Sequence, residues 1–133
     1  MKRLLLGIAV VGFAAAPLAC DNPLAPEQSV RLGVTQLDAP TAILAGSSLT
    51  VTLTVQTGGC LSFDHFEVER QASYGSITVW GQDAAKGRTG VACTADIRFE
   101  PHSYTFDPPF QSPFTVQVDR GRLSPLTATV QVQ

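Results

Sequence analysis

Charge is scarce in this chain: lysine, arginine, aspartate and glutamate make up 15% of 133 residues, and nine basic side chains face eleven acidic ones. No basic field exists to hold a phosphate backbone, which excludes nucleic acid as a partner. Histidine occurs twice, cysteine three times, tryptophan once, and methionine only at the first position. Past the N-terminus no segment carries an apolar stripe at 3.6-residue spacing over helical length, so a helical bundle is not expected. Internal repeats are missing too.

The N-terminus is the first informative segment. Lys2 and Arg3 precede an apolar run from Leu4 to Ala16, followed by Pro17, Leu18, Ala19 and Cys20. Thirteen apolar residues at about 1.5 Å each cover roughly 20 Å, short of the roughly 30 Å hydrocarbon core of a bilayer. An export signal fits that length. Cleavage after an A-x-A site at Ala14 and Ala16 would leave Pro17 first, a poor fit to an extended substrate because its φ is locked and its N–H missing.

Leu18, Ala19 and Cys20 resemble the bacterial lipobox, with Pro17 standing where leucine is usual. The resemblance implies a signal peptide over residues 1–19, cleavage before Cys20, a diacylglycerol on the Cys20 sulfur and a further acyl chain, such as palmitate, on the new amine. One acyl chain holds a membrane marginally, whereas two or three hold it durably. Residues 20–29, with Pro23 and Pro26 and few apolar groups, then read as a lipidated tether that lifts a domain over residues 30–133 off the bilayer. Asp21 resembles the inner-membrane retention signal of enteric bacteria, and the choice between inner and outer membrane stays open. The localisation implied is the cell envelope, facing the periplasm or the surface.

Without residues 1–19 the chain has 114 residues and a net charge of −4, seven basic side chains against eleven acidic ones. That length suits one domain with one core. With Cys20 acylated, Cys60 and Cys93 form an even pair in an oxidising compartment, and a disulfide between them is expected.

Period-two alternation dominates the remainder. In "SLTVTLTVQT" Leu49, Val51, Leu53 and Val55 share one face, and threonines with Gln56 take the other. "VACTADIRFE" sends Val91, Cys93, Ala95, Ile97 and Phe99 inward by the same reading, with Thr94, Asp96, Arg98 and Glu100 outward. Phe114, Val116 and Val118, then Leu126, Ala128, Val130 and Val132, repeat the pattern. Weaker strands fit residues 30–37, 64–70 and 76–81, with turn residues between them. About seven short strands, each with one apolar face, are satisfied by two antiparallel sheets packed face to face.

"GGC" at 58–60, "FEVE" at 66–69, "ITVWG" at 77–81, "ACTADIRFEP" at 92–101 and the closing "TATVQVQ" resemble small bacterial lipoproteins with a single immunoglobulin-like β-sandwich domain. The resemblance implies fold and anchoring and carries no activity. Cys60 and Cys93 lie closer in sequence than the cysteines that pin true immunoglobulin sheets, so the disulfide is expected to tie the loop before one strand to the body of another.

Reactive constellations are weakly marked. His65, Glu67 and Glu69 share a strand face at about 6.6 Å per two residues, too far apart to close a coordination sphere unless Asp96 or Glu100 joins from a neighbour. Asp64 is expected on the opposite face from His65. His102, Cys93 and His65 have the ligand types of a blue-copper centre, but no methionine remains for the axial position and Cys93 has a disulfide partner. No serine sits in a G-x-S-x-G elbow. An enzyme is therefore not expected, and no cofactor is implied.

The stretch "PHSYTFDPPFQSPF" at 101–114 concentrates Tyr104, Phe106, Phe110 and Phe114 among four prolines. It reads either as a rigid connector presenting its rings at one edge of the sandwich or as a loop folding them back to cap the core. On the first reading Tyr104, Phe106 and Phe110 are the binding candidates, with Trp80 and Tyr74 next. The function expected is a membrane-anchored extracytoplasmic binding or structural module, with an envelope protein or glycan as partner. The alternative is a metal-handling or hydrolytic envelope protein using His65, Glu67, Glu69 and His102.

Overall fold

The computed structural model describes residues 28–133; Cys20, the segment read as a signal peptide and most of the segment read as a tether lie outside them. Among the described residues there is no helix. The strands are β1 (Gln28–Arg31), β2 (Val34–Asp38), β3 (Ala42–Ile43), β4 (Leu49–Thr57), β5 (Leu61–Arg70), β6 (Tyr74–Asp83), β7 (Arg98–Phe106), β8 (Phe114–Val118) and β9 (Leu126–Val132). They form a larger six-stranded sheet and a smaller three-stranded one in the order β2-β4-β7.

Strand β6 organises the larger sheet. Along one side it pairs with β5 from Leu61 opposite Asp83 to Arg70 opposite Gly75. On the other side β1 takes its C-terminal half and β8, running parallel, its N-terminal half. Beyond β8 lie β9 and then β3, the latter also parallel to its neighbour. Pairing is thus mixed, where an all-antiparallel arrangement is predicted from sequence.

The segment read as one strand over 30–37 is divided between the two sheets. The Leu32 amide bonds the Val79 carbonyl of β6 at 2.9 Å, while the Gly33 carbonyl receives the Gln56 amide of β4 at 2.8 Å. The chain therefore changes sheets at Leu32–Gly33. This crossing explains a glycine inside β6: a Cβ on Gly81 would come within 2.4 Å of the Ser62 carbonyl and 2.6 Å of the Leu32 side chain.

Alternation in β4 buries Leu49, Val51, Leu53 and Val55 completely, as their spacing predicts. They join Val34 and Phe106 of the smaller sheet, Leu32 at the crossing, and Ile77, Val79, Phe114, Val116, Val118 and Val130 of the larger one in a single core. Two sheets contributing alternate residues to one shared core are consistent with a β-sandwich. On the outer side of β4, Thr50 and Thr52 exchange hydroxyl hydrogen bonds with Thr105 and Ser103 of β7 at 2.8 and 2.9 Å.

Residues 91–97 are not a strand, contrary to their alternation. Val91, Ile97 and Phe99, expected inside, are 39%, 63% and 58% exposed. The physical reason is the Cys60–Cys93 disulfide, with Cα atoms 5.1 Å apart, which ties the β6–β7 connection to the tight turn between β4 and β5. Both cysteines therefore lie in connections, and neither sits in the body of a strand. Gly58 adopts φ +106°, and a Cβ there would approach the Asp96 carbonyl to 2.5 Å, so the connection lies directly on the turn.

In β7 the inward parity consequently falls on Glu100, His102, Tyr104 and Phe106, the opposite of the sequence-based reading for Glu100. Residues 101–106 of the aromatic stretch belong to this strand. Their rings interleave with those of β5 across the seam between the sheets. His102 stacks on Phe63 at 3.9 Å, Phe66 meets Tyr104 edge-on at 5.9 Å, and the series continues through Phe106 and Phe114 to Phe110.

Candidate functional site

The inward series removes most of the expected binding rings from the surface. Phe106 is 2% exposed, and Tyr104 and Phe110 are half-buried against the core. They fill the seam, so the capping alternative describes them and the presenting connector does not. Trp80 and Tyr74 remain, on the outer side of β6, where alternation turns Gly75, Ile77, Val79 and Gly81 inward.

Register assembles a polar surface around Trp80. Its partners across the ladders are His65 on β5 and Arg31 on β1. The indole Nε1 donates to Glu67 Oε2 at 2.7 Å, one diagonal step along β5. The Arg31 guanidinium lies 5.8 Å from the ring centroid, within cation–π range, and pairs through Nη1 with Asp119 Oδ2 at 3.1 Å. An open depression of about 500 Å³ beside the ring is lined by Ser29, His65, Phe66, Glu67 and Trp80. A second, of about 250 Å³, lies between Arg31, Glu67, Glu69, Ser76, Thr78 and Asp119. Glu67 borders both.

Asp64 and His65 are not on opposite faces. A register shift between Phe63 and His65 inserts one extra residue in β5, and both side chains turn outward. His65 Nδ1 then lies 2.9 Å from Asp64 Oδ2, which also accepts from Gln82 Nε2 at 3.0 Å. These two hydrogen bonds, the His65 one first, hold the Asp64 carboxyl below its ordinary range.

The residues of the metal-handling alternative are divided between surfaces. His65, Glu67 and Glu69 do share the outer face of β5, whereas His102 points into the seam, with Nε2 3.6 Å from Glu100 Oε2. Cys93 is engaged with Cys60, which removes the thiolate of the copper reading. Among the described residues no three His, Cys, Asp or Glu side chains are grouped to hold a metal ion.

Sequence reasoning found Trp80 by its parity but missed Arg31, Ser29 and Asp119. Ser29 fell in the stretch read as tether, and all three reach the site only through strand register, which pairs β1 with the end of β6 and brings Asp119 up from β8. No local signal in the chain marks them. No family model matches this chain, and neither a curated protein nor a solved structure matches it.

Proposed function

We propose that this chain is a lipid-anchored, extracytoplasmic binding module of the bacterial envelope, built on an immunoglobulin-like sandwich, and that it binds glycans on the outer face of its larger sheet. The observation that carries the reading is the placement of Trp80: an indole on the solvent side of a rigid sheet, with carboxylates and a guanidinium around it. A pyranose presents an apolar face of C–H groups and a rim of hydroxyls. The ring offers the first a flat apolar partner. Glu67, Glu69 and Asp119 accept from the second, and Arg31 donates to it. Few polar groups converging on one aromatic wall are what fixes the orientation of a small ligand.

The lipid anchor draws support from the sequence Leu18-Ala19-Cys20 after a short apolar run. The even cysteine pair that remains is a disulfide, which suits the oxidising compartment of an exported domain. Retention on immobilised cell-wall glycan tests the reading. Wild-type protein is retained and eluted by soluble glycan fragments, and Trp80→Ala protein is not. Equal retention of both, or capture by envelope protein after the glycan is digested away, contradicts it.

A further inference from the structure

We propose that the end of the domain bearing the disulfide rests on the lipid surface, with Val91, Ile97 and Phe99 entering the interface. The proposal builds on the reading of Cys20 as the lipid anchor.

Strand register places the chain's entry at this end. Gln28 pairs with Asp83, Asp83 also pairs with Leu61, and Arg98 pairs with Thr57. The entry strand, the turn around Cys60 and the connection carrying Cys93 therefore share one end of the sheets. The Lys86 amine on the Ser29 carbonyl at 3.3 Å fastens that connection to the entry strand. From Cys20 to Gln28 the chain spans at most about 29 Å at full extension. An anchor in the bilayer thus holds this end nearest the lipid.

The same end carries three large apolar side chains in solvent: Val91 at 39%, Ile97 at 63% and Phe99 at 58% exposure. Phe99 lies outward because the inward parity of β7 belongs to Glu100 and His102. The backbone that presents them is held firmly, since Cys93 is bonded to Cys60, the Gly59 amide donates to Asp96 Oδ1 at 3.2 Å, and Arg98 Nε donates to Asp96 Oδ2 at 2.8 Å. Apolar tips on a rigid rim are suited to the headgroup boundary, where a lipid anchor has already supplied proximity. Among the described residues, the other large exposed apolar side chains, Leu44 and Leu123, lie in other connections.

The full mature protein, carrying its native N-terminus, is reconstituted in phosphatidylethanolamine–phosphatidylglycerol nanodiscs with a gadolinium-chelating lipid, and amide relaxation is read residue by residue. The amides of 86–99 are expected to relax several-fold faster than those of 44–48 and 107–113. Ile97→Ser combined with Phe99→Ser, both at exposed positions, is expected to reduce that contrast severalfold, to the smaller one that the tether alone imposes, while the remaining spectrum is retained. Equal relaxation at both ends, in protein whose intact mass shows acylated Cys20, overturns this proposal and leaves the anchor standing. A mass without acyl chains overturns both. A contrast that survives the double substitution undiminished overturns the assignment to these side chains.

Discussion

Trp80 donates its indole N–H to Glu67 at 2.7 Å from the neighbouring strand, and the two side chains hold each other on the outer face of the larger sheet. The bond is on the exposed face, where water competes for both partners, so it orients the indole more than it stabilises the fold. Glu67→Ala removes that restraint and one acceptor of the proposed glycan site. Glycan affinity is expected to fall by about tenfold or more. Unfolding stability should change by no more than about 0.5 kcal/mol, because the position is on the surface. Calorimetric titration and urea unfolding of the same sample separate the two effects.

The Cys60–Cys93 bond closes a loop of 33 residues. In the chain-entropy account a loop of that size is worth roughly 3.5–4 kcal/mol, a large part of the 5–15 kcal/mol typical of a domain. Replacement of both cysteines by serine should lower the urea midpoint accordingly. An unchanged midpoint would mean that the turn and connection are held without it.

Two phenylalanines near each other in sequence separate core from surface. Phe106 is buried between Tyr104 and Phe114, whereas Phe99 is 58% exposed. Phe106→Ala is expected to cost about 3–5 kcal/mol and Phe99→Ala less than about 0.5 kcal/mol. Comparable losses at the two sites would contradict the parity of β7.

Acidification probes the fastening of the β6–β7 connection. Asp96 accepts from the Thr94 hydroxyl and the Gly59 amide and pairs with Arg98, and these partners, in that order of importance, hold its carboxyl below the ordinary 3.8. A group depressed in the folded state stabilises above its unfolded value, and that contribution is lost as pH falls through the folded value. Exchange of the Gly59 amide should therefore accelerate, relative to its intrinsic rate, below pH 3.8. In Asp96→Asn protein the relative rate should already be raised at neutral pH and should lose most of this acid dependence.

The chain is legible in some strands and misleading elsewhere. Strand β4 is legible because buried aliphatics alternate without interruption with threonines from Leu49 to Val55. The same alternation misleads at 91–99, where Val91, Cys93, Ala95, Ile97 and Phe99 copy a strand but the disulfide and the turn at Gly58–Gly59 dictate the backbone. Pro101 then reads as a loop residue although β7 tolerates it as the edge of its sheet. Within the site, Trp80 is visible from parity alone. Its neighbours Arg31 and Asp119 depend on register between distant strands, and the proximity of Asp64 to His65 depends on a bulge that no residue type announces.

The chain contains one tryptophan, and it is the residue on which the proposed binding face is built. Its emission, followed while soluble cell-wall glycan fragments are added to the mature protein, reports on that face and no other. A saturable change in intensity and a shift to shorter wavelength, lost in Glu67→Ala protein at the same concentrations, is the expected result. A spectrum that stays constant while the glycan is demonstrably bound would place the binding surface elsewhere and contradict the account.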